Sequence, residues 1–314
     1  MSTVVNTQEN NPNMLRAISS SVVATGVGLG SMYGLEKLRK PVVNSLMNTA
    51  FDNAAIRNDI FKEAAFKSLK SEGIRYANLA EDSFMAMIPL FSDDELDMKN
   101  FIKSQKSFPS KAEDFLKNFK AKITPKFIQK MHEDKSWKNI TEGIEDASKG
   151  RNAATLFDKV CVNFDEVAVA SFHEAGHAKN YMSKNLLTKS IKYLSHPFFK
   201  KVGLGIAFAS AILIPSNKTS DSESAENQGL GAKTLDFFKK NCIGIAALAV
   251  APEILEEGLA SINGYKMAKK VLSANELKTL NSVNAKAWLS YVLKGAVAIA
   301  SIWTAKKAKE TLES

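Results

Sequence analysis

Apolar, charge-free stretches alternate with lysine-rich stretches along this chain of 314 residues. The first apolar stretch, residues 17–35, contains no charged side chain. Its glycines recur at every fourth position: Gly26, Gly30 and Gly34. Glycines at that spacing share one helix face and let two helices approach closely in a membrane. We therefore predict a disordered tail over residues 1–13 and a membrane helix over residues 14–40. A flexible glycine-rich linker is the alternative, because glycine and serine lower helix propensity in water.

Residues 41–150 have the pattern of several amphipathic helices. In residues 51–69 the apolar side chains recur at roughly helical spacing, and Pro109 and Pro125 divide the later helices. This region contains no motif that carries recognisable chemistry. We predict a helical domain over residues 41–150, and its sequence indicates no particular role.

One short strand is predicted at residues 160–162, a Val-Cys-Val sequence, and a helix is predicted over residues 165–183. The rest of the sequence has either the periodicity of helices or the polar composition of loops. The predicted fold class is therefore mainly α, with at most one short strand. That strand could offer an edge along which an extended substrate pairs by β-augmentation.

Two apolar runs in the second half, residues 202–214 and 242–252, are short for a complete membrane span, which needs about 20 residues. Phenylalanines and lysines flank both runs and can lengthen them, because lysine side chains reach toward the headgroups. We predict a membrane-inserted hairpin over residues 199–252, with buried core helices as the alternative. A further apolar helix is predicted over residues 287–305, where Lys294 is the only charged residue.

The composition of the chain bears on its location and its partners, and not on its fold. The net charge is +9, with lysines spread along the chain and no single basic block, which argues against a nucleic-acid partner. A diffuse basic surface suits anionic lipid headgroups, and it equally suits a well-solvated surface. The polar N-terminus lacks the basic region of a signal peptide. Cys161 and Cys242 are predicted to be buried free thiols. We expect a protein that is integral to a membrane or tightly associated with it.

The segment SFHEAGHA contains the motif H-E-x-x-H inside the predicted helix. Positions i and i+4 lie on one helix face, so His173 and His177 can bind the same metal ion, as they do in zinc sites of this spacing. Glu174 then lies beside the metal as the general base for a zinc-bound water. Two core histidines beside a glutamate are the alternative. The small residues Ala175, Gly176 and Ala178 argue against it, because they clear space around the ligands.

Such a site needs a third protein ligand. The candidates are three glutamates that follow the second apolar run and two residues elsewhere: Glu253, Glu256, Glu257, His196 and Asp165. A hairpin that returns the chain to its starting side would bring Glu257 back to the histidines. Ser261, one turn beyond Glu257, could hydrogen-bond a liganding imidazole.

The segments VAVASFHEAGHA, EGLAS and AKAWLSYVLKGAVAIASI resemble the neutral zinc metallopeptidases of the YugP-like membrane group. The resemblance covers roughly residues 150–305 and implies a gluzincin with Zn²⁺ bound by His173, His177 and Glu257 and with Glu174 as the base. Pro252 precedes Glu257 by five residues, whereas the family has its proline two residues before the ligand. Glu253 therefore stays an alternative ligand. The order of motif, apolar hairpin and glutamate is also similar to HtpX-type membrane peptidases.

These patterns together predict a zinc metalloendopeptidase domain over residues 151–314, which hydrolyses peptide bonds near a membrane. Its expected partners are a protein or peptide substrate and membrane lipid. A membrane-associated helical scaffold or remodelling protein, with a structural or inactive metal site, is the alternative. Glu174 argues against it, because a structural site needs no base. A soluble helical interaction protein is the third possibility.

Overall fold

The computed structural model describes residues 12–79, 153–156, 158–214 and 230–314. Within these residues the chain forms eight helices and one small sheet, so the mainly α fold class is confirmed. The elements follow in chain order: α1 Pro12–Ala55, α2 Asn58–Ser71, β1 Arg75–Asn78, β2 Ala154–Leu156, β3 Lys159–Val162, α3 Phe164–Val167, α4 Ala170–Met182, α5 Leu186–Leu194, α6 Pro197–Leu213, α7 Leu230–Ala268 and α8 Ala274–Glu313.

The sheet has three strands in the order β1-β3-β2, so the prediction of at most one strand is wrong. The predicted strand at residues 160–162 is present as β3. It lies in the centre, parallel to β1 and antiparallel to β2, and therefore offers no edge to a substrate. A lone strand would leave its backbone amide and carbonyl groups unpaired. β3 instead pairs with two very short strands: β2, which directly precedes it in the chain, and β1, which comes from a distant part of the sequence.

The chain divides into two compact units. The sheet unit comprises Ser45–Ser190 and Glu256–Trp288, and the bundle unit comprises Met1–Asn44, Ile191–Leu255 and Leu289–Ser314. The core of the sheet unit packs β3 and the start of α4 against α2 and against parts of α7 and α8. Its largest buried apolar side chains are Phe61, Leu69, Phe164, Phe172, Met267 and Leu280.

Two helices, Leu15–Ala55 and Ala274–Glu313, are long and apolar enough to cross a membrane. The complete helices α1 and α8 contain the predicted apolar helices at residues 14–40 and 287–305. The predicted hairpin at residues 199–252 corresponds to α6 and the first part of α7. Residues 215–229, between these helices, lie outside the described part of the chain. Most of the predicted helical domain at residues 41–150 and of the predicted tail at residues 1–13 also lies outside the described residues. Cys161 and Cys242 are buried free thiols, as predicted.

Helices α4 and α7 make backbone contact inside the sheet unit. A Cβ atom on Gly176 would lie 1.9 Å from the carbonyl oxygen of Ala260, and one on Gly264 would lie 2.1 Å from the carbonyl oxygen of Phe172. Real Cβ atoms do not approach other atoms so closely, so only glycine fits at these two positions. The small residues of the histidine motif therefore pack directly against α7, and do not merely clear space around the ligands.

We expect Gly176→Ala to destabilise the protein by about 1–3 kcal/mol or more, because α4 and α7 must move apart to admit the methyl group. The thermal unfolding midpoint of the detergent-solubilised chain measures this loss. Gly244→Ala is the matched control, since a Cβ atom at Gly244 in α7 meets nothing within 4 Å. Equal midpoints for the two variants would contradict the close contact.

Candidate metal centre

The histidine motif lies on α4, which begins later than predicted. The predicted helix over residues 165–183 is divided into α3 and α4 at Ala168 and Val169. The side chain of Asn58 in α2 causes the break: its Oδ1 accepts the amide hydrogen of Ala168 at 2.9 Å, and its Nδ2 donates to the carbonyl oxygen of Phe164, also at 2.9 Å. These bonds engage backbone groups that a continuous helix would need. They also anchor the start of α4 to α2.

Three ligand-type atoms converge between α4 and α7. His173 Nε2 lies 3.1 Å from His177 Nε2 and 3.1 Å from Glu257 Oε2, and His177 Nε2 lies 3.5 Å from Glu257 Oε2. Two ligand atoms at zinc-bonding distance in tetrahedral geometry are about 3.4 Å apart. The same contacts are hydrogen bonds when no metal is bound, and an ion placed among the three atoms would be attracted by the carboxylate charge. The trio therefore fits a metal ion, and Glu257 occupies the position of the predicted third ligand.

The other predicted candidates are engaged elsewhere. In the bundle unit, the Glu253 carboxylate accepts two hydrogen bonds of 2.7 Å from Lys200 Nζ, and His196 caps the start of α6 through the amide of Phe198. In the sheet unit, Asp165 forms an ion pair with Lys62. Among the described residues, the trio of His173, His177 and Glu257 is the only such group.

The second ring nitrogen of each histidine has its own partner. His173 Nδ1 lies 3.1 Å from Ser261 Oγ, the contact that the sequence predicted, and His177 Nδ1 lies 2.8 Å from Glu256 Oε1. Each Nδ1–H can therefore donate a hydrogen bond, which leaves the lone pair of each Nε2 directed at the metal position. Glu256 was predicted only as a possible ligand. Its adjacency to Glu257 was the one signal in the sequence, but it does not tell which glutamate faces which imidazole.

We expect Glu256→Ala to weaken zinc binding by about 10- to 100-fold, because the His177 ring loses the acceptor that fixes its orientation and its basicity. Competition with a chromophoric zinc chelator measures the affinity. Glu166→Ala is the control, since Glu166 is exposed on the nearby helix α3. An affinity equal to that of the control would mean that Glu256 does not orient the ligand.

Buried charges set the protonation of the centre when no metal is bound. Burial lowers the pKa of His177, but hydrogen bonds to Glu256 and Glu257 outweigh it and raise the pKa to about 10. Burial raises the pKa of Glu257, but hydrogen bonds from His173 and His177 outweigh it and lower the pKa to about 2. A metal ion must therefore displace the proton of His177 at neutral pH, so metal affinity falls as the pH falls.

Glu174 follows His173 in α4, its charge acts on His177, and its side chain contacts the sheet. Thr155 Oγ1, on β2, lies 2.6 Å from Glu174 Oε2 and 2.8 Å from the Glu174 carbonyl oxygen. This hydroxyl contact was not predicted from the sequence, because Thr155 precedes the motif in a region without a recognisable pattern. Nearby, burial and the charge of Glu174 raise the pKa of the Cys161 thiol to about 12. Cys161 therefore stays a protonated thiol and does not compete for the metal.

Comparisons of this chain with protein families, with curated proteins and with solved structures found no match. The class of the centre therefore rests on its own geometry: a His-His-Glu cluster that could hold a metal ion, on a mainly helical chain with two candidate membrane spans.

Proposed function

We propose that this protein is a zinc metalloendopeptidase of the gluzincin type that hydrolyses peptide bonds near a membrane. The observation that carries the proposal is the convergence of His173 Nε2, His177 Nε2 and Glu257 Oε2 to within 3.5 Å of one another, with Glu174 adjacent in the sequence. The resemblance of the motif segments to the YugP-like group agrees with it.

The composition of the cluster supports a catalytic centre rather than a structural one. Structural zinc sites are closed by four protein ligands, whereas catalytic sites have three and keep one position open. The cluster has three candidate ligands among the described residues. When bound there, a zinc ion would polarise a peptide carbonyl and lower the pKa of a water molecule.

Glu174 is proposed as the general base. Its carboxylate accepts a proton from the attacking water and later passes this proton to the departing amine. The hydroxyl of Thr155 can donate to Glu174 Oε2 and so hold the carboxylate in one rotamer. Glu256 and Ser261 hold the two imidazole rings in the tautomer that the ligand role requires.

The substrate is proposed to be a protein or peptide in an extended conformation. β2 is the strand that brings Thr155 to Glu174, and among the described residues its outer side pairs with no other strand. An extended chain that added to this edge would pass the general base. The strand proposed to pair with a substrate is therefore β2, and not β3 as the sequence suggested.

The membrane part of the proposal rests on Leu15–Ala55 and Ala274–Glu313, whose length and composition suit a bilayer. A substrate for this protein would then be a membrane protein or a chain close to the membrane surface.

The proposal is tested on the full chain purified in mild detergent. We expect about one zinc ion per chain by elemental analysis, casein hydrolysis that a strong chelator abolishes, and recovery of hydrolysis when zinc is returned. Bound zinc without hydrolysis of any peptide substrate would favour the scaffold with a structural metal. Failure to bind supplied zinc would overturn the metal centre itself.

A further inference from the structure

We propose that the bundle unit is a membrane domain of four helices, with the start of α1 and the end of α8 on one side of the bilayer and the histidine motif on the other. The proposal rests on the membrane part of the proposed function and is independent of the peptidase chemistry. It adds α6 and the first part of α7 to the two candidate spans.

One end of the bundle unit is closed by a polar cluster, which we call the terminal layer. Lys309 is fully buried in α8; its Nζ donates to Ser21 Oγ at 2.7 Å and to the carbonyl oxygen of Ile212. Other contacts at this end join the start of α1 to the end of α8 and the start of α7 to the end of α6: Ser20 with Glu313, Arg16 with Leu312, and Lys239 with Ile214.

The opposite end carries a second set of charges, which we call the Glu253 layer. Glu253 in α7 pairs with Lys200 near the start of α6 at 2.7 Å and with Lys294 in α8 at 3.6 Å. Glu36 in α1 pairs with Arg39 one turn later and interacts electrostatically with Lys294. The same four helices therefore meet at both ends, and each runs antiparallel to the next in chain order.

Between the two layers each helix has a segment without a charged residue, and lysines such as Lys201, Lys240 and Lys306 border these segments. The charge-free segments span 19 residues in α1, 13 residues ending just after α6, 12 in α7 and 11 in α8: residues 17–35, 202–214, 241–252 and 295–305. At 1.5 Å per residue they are about 28, 20, 18 and 16 Å long. Lysines border the shorter segments and can extend toward the headgroups, so the bundle matches a hydrocarbon layer that is thinned locally.

The charge-free segments of the four helices pack against one another mainly through small side chains. Most of the buried core positions hold small side chains (Ala24, Ala207, Ala211, Cys242, Ala246 and Ala305), and Ile212 and Ile302 are the larger members. Several of the large apolar side chains point outward, with Tyr33 73% exposed, Leu248 75% and Trp303 52%, whereas others such as Phe208 and Ile299 pack against the core. Burial of large apolar groups drives packing in water, whereas close contact of small residues drives it in lipid. Lipid is therefore the partner that this surface fits.

The sidedness follows from the connectivity. The chain passes between the two units after residues 44, 190, 255 and 288. In sequence, each of these points lies next to the Glu253 layer and away from the terminal layer. The segments that carry His173, Glu174, His177 and Glu257 thus leave the bilayer on the side of the Glu253 layer, and the start of α1 and the end of α8 lie on the terminal side.

Cysteine labelling of the full chain in sealed vesicles tests this topology. Three exposed positions are replaced singly: Ser314→Cys and Lys233→Cys at the terminal layer, and Lys184→Cys in the sheet unit. Right-side-out and inverted vesicles from the expressing cells are treated with a membrane-impermeant maleimide. The wild type is the control, because both of its native thiols are buried. We expect Ser314→Cys and Lys233→Cys to label in one vesicle type and Lys184→Cys in the other.

Labelling of Ser314→Cys and Lys184→Cys from the same side would overturn the topology, as would labelling of Ser314→Cys and Lys233→Cys from opposite sides. The same vesicles are washed at alkaline pH. Release of the chain by this wash would overturn the membrane placement as well. Retention of the chain with the wrong labelling would overturn the topology alone. Neither measurement depends on zinc or on hydrolysis, so both results can be interpreted even if the peptidase proposal fails.

Discussion

Replacing Glu174 by glutamine is expected to lower casein hydrolysis by about 100- to 10,000-fold, the contribution typical of a general acid–base group. Glutamine keeps the shape of the side chain and can still accept the hydrogen bond from Thr155, but it cannot take the proton of the attacking water. Because Glu174 is not among the ligand atoms of the cluster, zinc content should stay at the wild-type level. Initial rates and elemental analysis on one preparation measure both quantities.

Glu166→Gln is the matched control for this prediction, since Glu166 is exposed on α3, close in sequence to the motif, and should leave both values unchanged. A Glu174→Gln protein that retains hydrolysis would remove Glu174 from the reaction. One that loses zinc together with activity would show that the substitution disturbs the centre, and the role of Glu174 would then have to be assigned to metal binding.

Glu257→Gln is expected to weaken zinc binding by more than the roughly 10- to 100-fold that removal of a supporting residue costs, because it removes the charge of a ligand. Hydrolysis should be lost with the metal. The midpoint of zinc binding in chelator competition measures the effect, and the unfolding midpoint of the metal-free protein shows whether the fold is kept.

The matched control is Glu253→Gln, one turn earlier on the same helix. It removes an ion pair with Lys200 in the bundle unit and should leave the zinc affinity as it is. The opposite result, zinc kept by Glu257→Gln and lost by Glu253→Gln, would move the third ligand to Glu253, the alternative that the position of Pro252 left open. Loss of zinc in both variants would point to a general disturbance of α7.

Several features of the fold could not be predicted locally. β1 and β2 are four and three residues long and come from positions 75–78 and 154–156, so neither forms a recognisable pattern before it pairs with β3. The division between α3 and α4 depends on Asn58, more than 100 residues earlier in the chain. Hydrogen bonds of this kind are tertiary and override the helical pattern of residues 165–183.

The sequence by itself determined the pair of histidines, because His173 and His177 are one turn apart and the geometry of a helix places both on one face. It also determined the charge-free helices, since their length and composition are local properties. Only the tertiary structure decided among the three glutamates of α7. The backbone contacts at Gly176 and Gly264 set how α7 crosses α4, and this crossing directs Glu257 toward both Nε2 atoms and Glu256 toward His177 Nδ1. A helix repeats its faces every 3.6 residues, so which face meets a partner 80 residues away depends on packing that no local pattern contains.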